Sequence, residues 1–151
     1  SEMVGMFGSR AEFDGMAVRL AKRRASNANI AALTASNEDC RAALADGDIK
    51  GYYELNAKLH RQIYKMSGNS FLANEAQRLH DRLRPFRRLQ LRVRGRMNES
   101  MEEHDIILAA IRDGDVQNAV ETMRKHITIL GERFNDLVSG FNLMMKHNAK
   151  N

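Results

Sequence analysis

Proline occurs once, cysteine once and tryptophan not at all in these 151 residues. A single cysteine, Cys40, excludes an internal disulfide and fits a reducing, cytoplasmic setting. No apolar run approaches the roughly 18 residues that a membrane helix needs, so no membrane association is expected. The N-terminus lacks the pattern of a secretory signal. No stretch alternates apolar and polar positions with β-branched side chains, which argues against strands. Also missing are an HExxH pair, a nucleophile elbow and a glycine-rich phosphate loop. The charge is moderate: 24 Lys and Arg against 19 Asp and Glu give a net +5, which permits an anionic ligand without identifying one.

What is present is a set of helix formers, chiefly alanine, leucine, arginine, glutamate and methionine. The length suits one domain with a sound core. The expectation is an all-α, antiparallel bundle of about six helices. Residues 1–8 read as a linker or remnant. The chain opens on Ser1, so a trimmed chain with something upstream is expected. A first helix is predicted over Ser9–Arg24, capped by Ser9 with Glu12, and burying Phe13, Met16, Ala17 and Leu20. A second spans Asn27–Ala45 and a third Ile49–Met66, divided by Asp46-Gly47-Asp48. A long fourth helix, Phe71–Val93, should kink at Pro85. Two more are joined by Gly114 as helix stop and Asp115 as N-cap. The last runs towards Met145 with a stripe through Leu130, Phe134 and Phe141, and residues 147–151 form a polar, frayed tail.

The last two helices carry the first chemical signal. His104 shares a stripe with Leu108 and Ile111, and His126 one with Met123 and Ile127. His104 lies ten residues before Gly114 and His126 twelve after it. At about 1.5 Å per residue these are about 15 and 18 Å of helix, so an antiparallel hairpin sets both imidazoles at nearly one height. A lone histidine on an apolar face is usually a satisfied core residue. A pair at matched height weakens that reading, and a third histidine weakens it further. On the third helix Asn56 and His60 stand four apart and project from one face. His60, His104, His126 and Asn56 thus form a candidate site for zinc or another divalent ion that favours imidazole, nickel among them. His80, beside Leu79, and His147 in the tail are expected to face solvent.

The run Glu12-Phe13-Asp14-Gly15-Met16-Ala17-Val18-Arg19-Leu20-Ala21 resembles the first helix of the FCD domain. So, in order, do Asn56-xxx-His60, Ser67-Gly68-Asn69, Glu103-His104, Ala110-Ile111-Arg112-Asp113-Gly114-Asp115, Ala119, Met123 and His126. The FCD domain is the effector domain of FadR-subfamily GntR transcription regulators, and the resemblance covers about residues 5–140. It implies a helical bundle over about residues 9–146 that holds a divalent metal through an aspartate and three histidines. It further implies a small organic acid bound beside the metal, a homodimer, and DNA contact through a winged helix-turn-helix outside this chain. His60, His104 and His126 match the family histidines. Asn56 stands where aspartate is usual, which removes the one anionic ligand and makes an anionic effector a natural completion of the shell.

Arginines crowd the stretch from Arg82 to Arg96. Most should form a solvated face. Arg88, then Arg96 and Arg84, are the candidates to turn inward and hold a carboxylate in bidentate fashion. The rival use of these arginines, phosphate contact with nucleic acid, lacks support, since Phe86 is the only aromatic among them. An alternative overall reading is a metal-dependent hydrolase or lyase of helical fold. It needs a general base at the metal. Glu103 and Asp105 flank His104 but should face away, about 100° round the helix. The reading favoured is a sensor, not an enzyme, with no catalytic residues.

Overall fold

The computed structural model describes residues 2–150, apart from the side chains of residues 129–135, 137–138 and 141. Seven helices and no strand are found among the described residues: α1 Glu2–Arg24, α2 Asn27–Ala45, α3 Ile49–Met66, α4 Ser70–Arg82, α5 Arg84–Leu91, α6 Arg96–Asp113 and α7 Val116–Asn148. The fold is all-α, as expected. α1 packs along α7 and also meets α3, α4 and α6, while α2 covers α3 and α6. No described helix is long and apolar enough to cross a membrane.

The turn chemistry explains most boundaries. Ser26 caps α2 by accepting from the Asn29 amide, and Asn29 reaches back to the Ser26 amide. Such a box contributes about 1 kcal/mol. Asp48, Asn69 and Asp115 cap α3, α4 and α7 with a single bond each, accepting from the Gly51, Leu72 and Asn118 amides. Gly114 closes α6 with φ of 107°, a conformation that costs glycine nothing and other residues a good deal.

Several expectations fail. Residues 2–8 are helical rather than a linker, so Ser9 lies inside α1 and caps nothing. The buried face of α1 is Phe7, Arg10, Ala11, Asp14, Ala17, Val18 and Ala21, whereas Met16 is 49% exposed. Its register is therefore rotated from the one predicted, because two charged residues occupy core positions. The long fourth helix is broken, not merely kinked. The chain leaves α4 at Leu83, and Pro85 stands in the first turn of α5, where its missing N–H is harmless. Val93 is exposed in the turn after α5. α7 continues through Asn148, two residues into the expected frayed tail. The predicted stripe positions Leu130, Phe134 and Phe141 lie outside the described residues.

The core centres on Val18, Leu33, Leu59, Ile63, Leu83, Ile107, Ile111, Met123 and Ile127. Each such side chain contributes about 1.5–3 kcal/mol on full burial. Gly15 lets α1 approach α7 closely, since a Cβ there would stand 3.3 Å from Val120 Cγ1. A polar centre lies within this shell of oil.

Candidate functional site

The hairpin of α6 and α7 folds back at Gly114 and sets His104 and His126 side by side, with ring centroids 5.1 Å apart. α3 brings His60 within 5.7 Å of His104 and 5.4 Å of His126. All three rings are buried, and one ligand-capable nitrogen from each lies within 4.8 Å of the others. Neither nitrogen of His104 nor Nδ1 of His60 has a hydrogen-bond partner in the protein. Asn56 is buried on the same wall, and its Oδ1 is likewise without a partner. A buried polar atom left unpaired costs about 1–3 kcal/mol, so four in one cluster are not explained by packing. Burial, aided for His60 by Arg10, holds the pKa of His60 and His104 well below the ordinary histidine value. The rings are therefore neutral, the form that donates a lone pair to a cation. The donor set, imidazole nitrogens with an amide oxygen, fits a borderline-soft divalent ion.

Glu103 was expected to face away. It does not. Its carboxylate takes a bidentate grip from Arg96, at 2.6 and 2.9 Å, and also meets Nδ1 of His126. Glu103 lies one residue before His104 and at the α6/α7 seam, so its longer side chain reaches across to α7 rather than inward from α6. The carboxylate fixes Nδ1 of His126 as the protonated nitrogen and leaves Nε2 as the donor, an arrangement typical of metal-bound histidine. Hydrogen bonds from His126 and Arg96 overcome burial and hold the Glu103 carboxyl down at about 2. Asp105 does turn away, to Asn37 and Arg41 of α2.

His80, expected in solvent, is buried at 1% exposure with its ring 5.9 Å from that of His60. The true stripe of α4 runs Leu72, Ala76, His80 and Leu83 rather than through Leu79. Arg87 donates to Nδ1 of His80 at 3.0 Å. Because arginine can only donate, His80 is the neutral tautomer with its proton on Nε2.

The main residues missed from sequence are Arg10 and Asp14 of α1. Asp14 accepts from Tyr64 Oη at 2.8 Å, pairs with Arg10 at 3.4 Å and stands 3.6 Å from Nδ1 of His60. Burial pushes its carboxyl up, against the downward pull of Arg10 and Tyr64. The signal was available: Arg10 and Asp14 are four apart in line with Ala17 and Ala21.

The arginine candidates divide. Arg96 is buried at the site wall but already engaged by Glu103 and Glu99. Arg88 and Arg84 do not reach the site. Arg84 is a surface residue 4.0 Å from Asp81, and Arg88 lies over the Tyr53 ring. The break at Leu83 rotates α5 so that Arg87, Gln90 and Leu91 point inward instead. Arg87 is 3% exposed, and its Nη2 has no partner. Burial and the nearby Arg10 pull its pKa down to about 9. The free space among Arg10, Asn56, His60, Arg87, Arg96 and His126 is about 10 Å³, the size of a water or a bare ion.

Three inward imidazoles thus sit at the centre of a bundle of antiparallel helices. The FCD domain family matches residues 6–128, and the chain belongs to that family. Its fold is similar to that of E. coli McbR/YncC, with a TM-score of 0.74 and 24% identity over 85% of this chain and 67% of that one. It is also similar to a GntR protein of Streptococcus agalactiae, with a TM-score of 0.68 and 23% identity over 87% of this chain. The chain spans 58% of that second protein. No curated protein matches the chain.

Proposed function

We propose that the helices α1 to α7 form the effector-sensing domain of a GntR-type transcription regulator in the cytoplasm. The reading takes the domain to hold a divalent metal, zinc first and nickel or another transition metal next, and to respond to a small carboxylate. The observation that carries it is the meeting of three buried imidazoles, with no hydrogen bond within the protein to Nδ1 of His60 or to either nitrogen of His104. His60, His104 and His126 would hold the ion, with Asn56 Oδ1 as the oxygen donor. Bound there, the ion supplies a fixed positive charge that attracts an acid. Arg87, with one unpartnered nitrogen, takes the role first given to Arg88, and Arg10 stands beside it.

The small free space means that an acid enters only when a wall moves. α5 is that wall, since it is eight residues long and no side chain caps its N-terminus. A shift of α5 gives ligand binding a mechanical output. The full regulator is proposed to dimerise and to read DNA through an N-terminal domain outside this chain. The enzymatic alternative gains little from the inward turn of Glu103. A carboxylate held near 2 and clamped by an arginine is a poor base at neutral pH. Differential scanning fluorimetry of zinc-loaded protein against a panel of mono-, di- and tricarboxylates tests the reading. A saturable rise in Tm with at least one acid is expected; a flat panel, or consumption of any acid, contradicts it.

A further inference from the structure

A groove of about 660 Å³ opens on the other side of α5 from the histidines. That volume is in the range of small-molecule sites. Its floor is apolar, with Tyr53 from α3, Leu91 from α5 and Met97 from α6, and Ile49 of α3 stands at its edge. Its rim is cationic: Lys50, Arg88, Arg92 and Arg94, with no aspartate or glutamate in the lining. The carboxylates nearest in sequence to these arginines are engaged elsewhere, Asp81 with Gln77 and Arg84, Glu99 and Glu103 with Arg96. The Arg88 guanidinium carbon sits 4.9 Å from the Tyr53 ring centroid, so this cation is held over the groove rather than free in water. Ile49 and Val93 are left 49% and 48% exposed at the edge.

An uncharged apolar ligand would leave the rim uncompensated, and a small inorganic anion would leave the floor wet. A nucleic-acid strand needs stacking partners, and Tyr53 is the sole aromatic in the lining. We propose that the groove binds one amphipathic organic anion, a carboxylate on an acyl or aryl body, at a site distinct from the histidine centre. The body lies on Tyr53, Leu91 and Met97 beside Ile49, and the carboxylate meets Arg88 and Arg92. Of the groove residues only Leu91 also lines the histidine centre. Arg87 and Gln90 on one face of α5 thus serve the buried site, and Arg88 and Arg92 on the other serve the groove.

Isothermal titration of decanoate into EDTA-treated protein tests this, with decan-1-ol and acetate as comparisons. One saturable equivalent of decanoate is expected, with both comparisons at least tenfold weaker. Arg88→Ala/Arg92→Ala, two exposed positions that the bundle does not need, should weaken decanoate at least fivefold. Ile49→Glu, which sets a carboxylate at the rim, should weaken it further. Unsaturable uptake, equal affinity for decan-1-ol, full affinity in the arginine variant, or binding that appears only with metal would each overturn the proposal. So would sedimentation showing a dimer without decanoate that Ile49→Glu dissociates, since a second copy would then occupy the groove. Because the protein is metal-free, failure here leaves the histidine reading untouched, and success does not depend on it.

Discussion

The two walls of the buried centre differ in how their charges are matched. On the α6/α7 wall Arg96 grips the Glu103 carboxylate with two nitrogens and His126 donates to it, so that cation and carboxylate are matched one to one and only Arg96 Nε of the guanidinium lacks a partner. On the α1/α5 wall two buried arginines, Arg10 and Arg87, face one carboxylate, Asp14, which of the two pairs with Arg10 alone, at 3.4 Å, and atoms of all three lack a hydrogen-bond partner. The first wall is a rigid mount for a histidine. The second carries surplus positive charge that an incoming anion would relieve. In the proposed function one half of the centre is structural and the other receptive.

Substitutions of similar size should therefore behave in opposite ways on the two walls. Arg96→Met removes one partner of the matched pair and leaves Glu103 partly buried without its clamp. A loss of about 2–3 kcal/mol in urea unfolding is expected, at the low end for buried pairs because Glu103 retains some water contact. Glu103→Gln keeps the shape but no longer fixes the tautomer of His126. Zinc affinity in a competition assay should fall about 10–100-fold, with a smaller loss of stability. Arg87→Met replaces a poorly compensated cation with an apolar chain, a relief of desolvation that offsets the loss of its hydrogen bond to His80. Stability of the unliganded protein should stay within about 1 kcal/mol of wild type or rise, while the Tm response to acids is lost. A loss as large as that of Arg96→Met would erase the distinction between the walls.

The smallest effect concerns pH. Burial, then Arg87, keep the pKa of His80 well below the ordinary value of 6.5. The unfolded chain therefore binds a proton that the folded chain refuses. The stability owed to neutral His80 is complete above about 6.5 and declines as pH falls below it, by at most about 1.4 kcal/mol per pH unit. His80→Gln keeps an acceptor for Arg87 without the titration. Between pH 6.5 and 5 the metal-free variant should show a shallower decline than wild type, by up to one proton, in denaturant titrations.

The fold was legible because periodicity was strong and Asp46-Gly47-Asp48, Gly114 and Asp115 punctuate the chain where it turns, whereas the cap at Ser26 was not read and the one expected at Ser9 does not exist. The pairing of His104 with His126 was legible because the Gly114 hairpin converts similar sequence distances into similar heights. Illegible were the positions where polar residues sit on core stripes. A pattern reader assigns Met16 to the core over Asp14, and Leu79 over His80, since burying charge costs energy. That cost is met here by pairing Arg10 with Asp14 and Arg87 with His80, which only three-dimensional proximity reveals. Arg88 and Arg84 were misplaced for a related reason: breaking the helix at Leu83 rather than kinking it at Pro85 changes which arginine faces in.

Metal-specific anomalous diffraction from zinc-reconstituted crystals, read beside the metal content of His104→Ala, tests the central claim most directly. One ion within bonding distance of His60, His104 and His126 in wild type, and none retained by the variant, is the expected result. Zinc elsewhere on the chain, or equal zinc content in a folded His104→Ala protein, would contradict it.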